Sequence, residues 1–379
     1  MIPHSTPRAF PGIDLLRALA ALLVLAYHVV EYGKWTAMPN TGLGYLLRHG
    51  WAGVDLFFTI SGFVIGLSAL DGVAKQGPAF RRSFAVRRLA RIVPLYLLTC
   101  AVYLLMVSPV MLLLSKTVLL GHIASHLLFV HNLYVPTHGS INGPSWSVAL
   151  EMQFYGAIML AAPWLARTPA WRMLLYAIGC GALWRFATTL MLEPGVASPT
   201  IQFIYTTQLP GVIDEFALGI ALALVVHRNT GRLAAWLQPG WLHFAAWLLL
   251  AFVLLKIAIR LDQKSLYWGS QAMVVAWRPL LGAGFTALLA AAITFPWAGV
   301  RLLAPLRYLG DISYGIYLWH MLVLVSLLSG IPGLGGQWLL SYALGGTLIL
   351  AALTWHLLEK PNLQKYKGSH HQATRESPP

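Results

Sequence analysis

Long apolar stretches of about twenty residues recur along nearly the whole chain, and charged residues are concentrated between them. Each stretch has the length that an α-helix needs to cross the hydrocarbon core of a bilayer. We therefore expect an all-α integral membrane protein with about ten transmembrane helices. The predicted spans are residues 12–31, 51–70, 92–113, 147–166, 171–191, 210–227, 241–260, 272–294, 309–329 and 337–357.

The spans define one membrane domain, residues 12–358, between a cytoplasmic N-terminal segment, residues 1–11, and a cytoplasmic tail, residues 359–379, which we expect to be disordered. The composition supports this class, because 58% of the residues are hydrophobic and 10% are charged, whereas soluble domains carry about a quarter charged residues. Cys100 and Cys180 both lie in apolar segments, so we expect neither a disulfide framework nor a thiolate metal site.

The positions of lysine and arginine predict the orientation. With ten spans and both termini in the cytoplasm, 17 of these side chains lie on the cytoplasmic side and 6 outside, as the positive-inside rule requires. The same bias accounts for the formal net charge of +14 without a nucleic-acid partner. Counting segment 117–134 as a span would weaken the bias, and the segment contains His122, His126 and His131. We expect it to be a shorter, re-entrant or interfacial helix.

The first span is apolar but carries Asp14, Arg17 and His28. A charged side chain at the bilayer centre costs roughly 2.5–3.5 kcal/mol or more, so it usually faces a protein interior or a wet cavity. Arg17 and His28 are eleven positions apart, which places them on one helix face about 16 Å apart along the axis. Asp14 precedes Arg17 by three positions and can neutralise it. The alternative is an arginine at the membrane edge and a histidine that packs in the core.

A basic segment, RRSFAVRRLARIVP, connects the second and third spans as a cytoplasmic loop around residues 75–91. Arg88 and Arg91 are one helical turn apart where the segment enters the third span. Guanidinium groups bind phosphates bidentately, so these two arginines are candidates for binding a polyanion. We interpret Arg81 and Arg82 as ordinary anchors for anionic lipid headgroups.

Two further spans carry polar faces. Ser147, Glu151 and Tyr155 recur at four-residue spacing, and an unpaired glutamate in a span is costly unless it meets a cation or borders a cavity. Candidate partners of Glu151 are His28 and Arg185.

In a later span Tyr314, Tyr317 and His320 step by three, and we expect His320 to line the cavity.

Asp55 opens the second span at the height of His28 and is a candidate to orient it. Ser61, Gly62 and Gly66 follow at spacings that favour close helix packing.

Six motifs now occur in a recognisable order: R-x10-H in the first span, FFTISGF, RRLARIVP, WSVALEMQFY, ISYGIYLWH and a closing EKP. This series resembles the membrane-bound type-three acyltransferases, which O-acylate sugars, glycans, lipids and some antibiotics. The resemblance implies that His28 is catalytic, that Arg17 is its motif partner, and that Arg88 and Arg91 contact acyl-CoA. The WSVALE motif carries an extra residue before Glu151.

The resemblance implies transfer of an acyl group, acetyl by default, from cytosolic acyl-CoA to a sugar hydroxyl of a surface or exported glycan or glycolipid. His28 would act as general base, with Glu151 or Asp55 holding its tautomer. Direct transfer and an acyl-histidine intermediate both remain open. We expect acyl-CoA as a co-substrate, no permanently bound cofactor or metal, and membrane lipid around a multi-pass protein of the plasma membrane, the inner membrane in a bacterium.

Three other functions fit parts of the pattern. A proton-coupled transporter would also bury Arg, His and Glu, although the internal repeats typical of transporters are not visible. A haem or quinone protein would use His28 and His320 as ligands, and a lipid-binding scaffold would carry no chemistry. An acyltransferase with a non-glycan acceptor is a further alternative. Binding or hydrolysis of acyl-CoA separates the acyltransferases from the other three.

The charge distribution predicts that single cysteines at Ser265 and Ser369, in a background lacking Cys100 and Cys180, react differently with an impermeant thiol reagent in intact cells. Position 265 is expected to be labelled and position 369 protected until the membrane is permeabilised. Labelling of position 369 alone would reverse the proposed orientation.

Overall fold

The computed structural model describes residues 10–192, 197–264, 267–297 and 304–365. The two labelling positions, Ser265 and Ser369, lie outside these ranges. So does Arg8, one of the basic residues counted on the cytoplasmic side. Within them the chain forms helices and turns, and no strand is present. The expected all-α class is therefore confirmed.

Ten long helices account for most of the described residues. They are α1 Pro11–Tyr32, α2 Gly53–Gln76, α3 Phe80–Met106, α4 Trp146–Arg167, α5 Ala170–Leu192, α6 Leu209–Arg228, α7 Trp241–Lys264, α8 Gln271–Thr294, α9 Ser313–Gly330 and α10 Gly336–Thr354. In the described ranges, nine helical stretches are long and apolar enough to cross a membrane, and the stretch Gly50–Met106 contains both α2 and α3. The ten helices correspond to the ten predicted spans.

The third predicted span, residues 92–113, is wrong in its bounds. Helix α3 begins at Phe80, twelve residues earlier, and the predicted loop is part of α2 and α3 joined by the 3-10 turn Gly77–Ala79. Arginine is a good helix former, and its aliphatic stem can lie along apolar surface while the guanidinium reaches a polar environment. The basic segment is therefore helical, and its arginines are held on a rigid element.

The short helices lie between the long ones. The segment predicted not to span forms the helix Lys116–Leu127, whose length of about 18 Å is less than the roughly 30 Å of a bilayer core. At the other end of the chain, α10 continues through a π-helical turn, Trp355–Glu359, and is helical up to Lys365, the last described residue. The helix thus extends past residue 359, where we expected the tail to begin, and residues 366–379 lie outside the described ranges.

Close packing of α2 against α6 forms the centre of the bundle. A Cβ atom on Gly62 would overlap the backbone oxygen of Phe216, and one on Gly219 would overlap that of Thr59. The phenyl ring of Phe216 also stacks on that of Phe154, with ring centroids 4.2 Å apart. The prediction that small residues of the second span allow a close helix approach is confirmed at Gly62.

Two sets of buried ion pairs tie the later helices to this centre. Arg185 of α5 donates to Asp214 of α6 at 2.7 Å, with neither side chain exposed. Arg278 of α8 donates to Asp55 at 2.7 Å and to Glu215 at 2.8 Å. Each arginine is thereby neutralised inside the apolar bundle, where removing one partner of such a pair is costly.

Gly62→Ala should destabilise the protein by about 1–3 kcal/mol, because the added methyl group forces α2 and α6 apart. Thermal unfolding in detergent, followed by size-exclusion chromatography, measures the loss. The matched control is Gly156→Ala on α4, where an added Cβ meets no atom within 4 Å and alanine favours the helix. Equal melting temperatures for the two variants would contradict the close approach described above.

Candidate active site

The first of two neighbouring cavities is rich in arginine. Arg17 of α1 and Arg88 and Arg91 of α3 line it, and its empty volume is about 810 Å³. We call it the arginine cavity. Among the described residues Glu151 is the only acidic side chain in the lining, so the cavity carries an excess of positive charge. The structure therefore brings together the three arginines that the sequence singled out, one on α1 and two on α3.

The guanidinium groups of this cavity form no direct ion pair with the described residues. No carboxylate of the described residues lies within 4.0 Å of Arg17, Arg88 or Arg91. The Arg88 guanidinium lies 5.5 Å from the ring centroid of Phe84 and 5.7 Å from that of Tyr155. Its Nε atom is buried without a hydrogen-bond partner. Such groups are suited to bind an anion that enters from outside the protein.

Glu151 lies in the arginine cavity and apart from His28. Its Oε1 atom accepts hydrogen bonds from the hydroxyl groups of Tyr155 and of Ser61, the latter at 3.0 Å. The expected pairing of Glu151 with His28 or Arg185 is wrong, because α4 faces the arginine cavity while Arg185 faces Asp214. The hydroxyl of Ser61, which the sequence indicated only as a packing residue, thus contributes to the polar lining.

The second cavity contains His28 and has an empty volume of about 1530 Å³. Its charged lining residues are Asp55, Asp262 and Arg278, and Arg278 is already paired with two acids. We call it the aromatic cavity because most of the remaining lining is aromatic: Tyr27, Tyr32, Trp51, Trp146, Phe203, Tyr267, Trp268, Trp277 and Tyr317. It therefore offers flat apolar surfaces with a few polar groups, as small-molecule sites commonly do.

His28 forms a pair with His320. The His28 Nδ1 atom lies 2.9 Å from the carbonyl oxygen of Val24, which can only accept, so Nδ1 carries the hydrogen. By the same argument His320 donates its Nδ1–H to the carbonyl oxygen of Tyr317 at 2.6 Å. The His320 Nε2 atom then accepts from His28 Nδ1 at 3.2 Å. This leaves the Nε2 lone pair of His28 without a hydrogen bond in the described ranges and available to a ligand.

Two carboxylates that were expected to contact His28 and Arg17 of the first span contact other residues. Asp55 lines the aromatic cavity with His28, but its carboxylate accepts from Arg278 and does not orient the imidazole. Asp14 lies 4.0 Å from Arg307, and its carboxylate is more than 4.0 Å from Arg17. The prediction that it forms an ion pair with Arg17 is therefore wrong. The Asp14 carboxylate instead approaches the short helix Ala304–Asp311, to which Arg307 belongs.

The remaining candidate residues lie in the arginine cavity and at its boundary with the aromatic cavity. Tyr317 lines both of them, and its hydroxyl lies 2.7 Å from Ser147 Oγ. Tyr314 lines the arginine cavity and donates to the carbonyl oxygen of Ile92 at 3.0 Å. Helix α9 therefore presents Tyr314 and Tyr317 along the path from Arg17 to His28. The expectation that His320 lines the cavity is wrong, because its buried ring contacts His28 and belongs to the lining of neither cavity.

Sequence reasoning missed most of the aromatic cavity. Trp51, Tyr267, Trp268 and Trp277 come from distant parts of the chain, and the only signal was the high tryptophan content, 15 residues. His138, also in the lining, stacks on Trp146 with ring centroids 5.8 Å apart. Burial lowers the pKa of His138 to about 4, so its imidazole is neutral at pH 7 and adds no positive charge to the cavity.

Two histidines of segment 117–134, one in the short helix and one in the following 3-10 turn, play a structural part. His126 and His131 stack with ring centroids 4.0 Å apart, and burial lowers the pKa of His126 to about 4 and that of His131 to about 3. Both rings are therefore neutral and packed. Within the described ranges, no group of three or more His, Cys, Asp or Glu side chains is placed to hold a metal ion.

Comparison with known proteins gives a consistent result. A family model described as an acyltransferase domain matches residues 10–356. YrhL of Bacillus subtilis, named as a peptidoglycan O-acetyltransferase, is 30% identical over 93% of this chain and 55% of its own length. The peptidoglycan O-acetyltransferase OatA of Listeria monocytogenes is 26% identical over 93% of this chain and 55% of its own length. The acyltransferase MdmB of Streptomyces mycarofaciens is 29% identical over 90% of this chain and 86% of its own length.

The chain thus spans about half the length of the first two relatives, and no solved structure matches it. The family model, in contrast, covers nearly the whole chain and includes every helix that lines the two cavities. Five of the six motifs that resemble type-three acyltransferases lie within this range, and the closing EKP, residues 359–361, follows directly after it. The chain therefore belongs to the type-three family of membrane acyltransferases.

Proposed function

We propose that the protein is an O-acetyltransferase that moves an acyl group, acetyl by default, from acyl-CoA to a sugar hydroxyl. The observation that carries this proposal is the adjacency of the two cavities. One presents three unpaired arginines, and the other presents a histidine with a free ring nitrogen. The chemistry needs a binding site for a polyanionic donor next to a group that accepts a proton. The arginine cavity offers the first, and His28 in the neighbouring cavity offers the second.

The arginine cavity suits the phosphates of coenzyme A. Arginine binds phosphate oxygens through several N–H donors at once, and the bond is strengthened by charge. Arg17 and His28 are separated by about 16 Å along α1, a distance of the order that the pantetheine arm can cover. Coenzyme A held at the arginines would thereby place its thioester near the boundary with the aromatic cavity.

His28 is the proposed general base. Its Nε2 atom takes the proton of the acceptor hydroxyl while the hydroxyl oxygen attacks the thioester carbonyl carbon. The carbon–sulfur bond then breaks, an ester forms, and the proton passes to the thiolate to give free CoA. His320 Nε2 accepts a hydrogen bond from the Nδ1–H group of His28. This bond keeps the hydrogen on Nδ1 and leaves the lone pair of His28 Nε2 free, which is the positioning role that a carboxylate has in hydrolytic triads.

The aromatic cavity is the proposed acceptor site. Relatives of the chain carry the name peptidoglycan O-acetyltransferase, and a sugar of a surface or exported glycan or glycolipid is the acceptor that this favours. The aromatic rings supply flat apolar faces, and Asp262 supplies a carboxylate that accepts hydrogen bonds from hydroxyl groups. A non-glycan small molecule with a hydroxyl group is the second candidate acceptor.

The orientation in the membrane follows from the charge bias. The positive-inside rule favours cytoplasmic termini, which would open the arginine cavity toward cytosolic acyl-CoA and the aromatic cavity toward the outer face. A plasma membrane, the inner membrane in a bacterium, is the expected location. A proton-coupled transporter is the alternative function, and it requires neither binding nor cleavage of acyl-CoA.

Replacement of His28 by glutamine should reduce acyl transfer by about 10²–10⁴-fold, because an amide keeps hydrogen-bonding capacity but cannot take a proton. Release of free CoA thiol by purified protein measures turnover, and calorimetry measures acyl-CoA binding, which should persist. The matched control is His243→Gln, since His243 also donates Nδ1–H to a carbonyl oxygen, that of Gln238, but lies outside both cavities. Near-normal turnover of the His28 variant would falsify the base assignment.

Replacement of Arg88 or Arg91 by alanine should weaken acyl-CoA binding by about 1.5–3 kcal/mol for each charged hydrogen bond lost. Titration calorimetry with acetyl-CoA at fixed ionic strength provides the affinity. Arg81→Ala is the control, because Arg81 lies on the same helix but is exposed and does not line the arginine cavity. Equal losses at all three positions would indicate a general electrostatic attraction and no phosphate site.

A further inference from the structure

The two cavities meet at only two lining residues of the described chain. Val54 of α2 and Tyr317 of α9 belong to the lining of both the arginine cavity and the aromatic cavity. All other lining residues belong to one cavity. A group that passes between the cavities must therefore pass these two side chains.

Tyr317 is held firmly at this position. Its side chain is 6% exposed, and its hydroxyl donates to the carbonyl oxygen of Pro144 at 3.0 Å. Ser147 Oγ lies 2.7 Å from the same hydroxyl, and the ring packs edge-on against Phe57 with centroids 5.8 Å apart. A ring fixed at both its edge and its hydroxyl cannot swing aside without breaking these contacts.

The same residue is connected to the histidine pair. The carbonyl oxygen of Tyr317 accepts the Nδ1–H of His320 at 2.6 Å, and His320 accepts from His28. The Tyr317 ring and the His320 ring are 5.7 Å apart between centroids. The boundary between the cavities is therefore one turn of α9 from His320, the residue that contacts the proposed base His28, where the thioester has to arrive.

We propose that Val54 and Tyr317 form an aperture that selects the acyl group by size. This inference rests on the proposed function, and it deepens that function by assigning the choice of acyl donor to two side chains. The acyl group of CoA held at the arginines enters the aromatic cavity through the aperture, and the rigid ring and the branched valine admit acetyl more readily than longer chains. The amino acid at position 54 sets the width, because a valine side chain can be shortened or lengthened without disturbing the hydrogen bonds of Tyr317.

The experiment compares kcat/KM for acetyl-CoA and butyryl-CoA, by release of free CoA from the purified full chain. Discrimination of one methylene by a pocket typically amounts to about 10–200-fold, so the wild-type protein should prefer acetyl-CoA by at least about 10-fold. Val54→Ala should reduce that preference by about 10-fold or more. Val54→Leu should lower turnover of acetyl-CoA and further increase the preference, while affinity for free CoA stays within about 2-fold.

The matched control is the same substitution on the same helix, Val64→Ala, because Val64 lines the arginine cavity but not the aromatic cavity. Its acetyl-to-butyryl ratio should equal that of the wild type. An acetyl-to-butyryl ratio that is unchanged in both Val54 variants would overturn the aperture and leave the acyltransferase proposal intact. A shift of this ratio in the Val64 variant equal to that in Val54→Ala would have the same consequence. Absence of both CoA binding and CoA release in the wild-type protein would overturn the acyltransferase proposal and the aperture together.

Discussion

Unpaired positive charge inside an apolar bundle is the constraint on which the candidate site depends. Arg185 and Arg278 meet carboxylates at 2.7 Å and are neutralised within the protein. Arg17, Arg88 and Arg91 have no carboxylate of the described residues within 4.0 Å. A charge without a partner in an apolar environment is unfavourable, and three such groups, each partly exposed in the lining of one cavity, are suited to binding an anion there. The two paired arginines stabilise the fold, and the three unpaired ones are available for function.

Helix α1 sets the spacing of the site. It places Arg17 in one cavity and His28 in the next, on a rigid rod with a rise of about 1.5 Å per residue. Helix α9 runs alongside and provides Tyr317 at the boundary and His320 against His28. Because both helices are rigid, the distance between the proposed phosphate site and the proposed base does not depend on a flexible loop. Sites built on helices hold reacting groups more precisely than sites on loops.

The chemical contrast between the two cavities also fits a two-substrate reaction. The arginine cavity combines guanidinium groups with the hydroxyls of Ser61, Ser147 and Tyr155. The aromatic cavity combines tryptophan and tyrosine rings with an excess of acidic over basic side chains. A polyanion is attracted to the first and disfavoured in the second, which would keep the donor from occupying the acceptor site. Electrostatic differences of this kind contribute more to selectivity than to affinity.

The sequence by itself determined the helix count, the bounds of most spans to within a few residues, and the shared face of Arg17 and His28, since these follow from hydrophobic length and helical period. The tertiary structure decided which side chains meet. Asp55 was expected beside His28 and is bonded to Arg278, and Glu151 was expected near His28 and lies with the arginines. Periodicity specifies the face of each helix but not the rotation and depth at which two helices pack, and a shift of one turn changes every partner across the interface. The His28–His320 pair joins residues 292 positions apart, and packing alone brings them together.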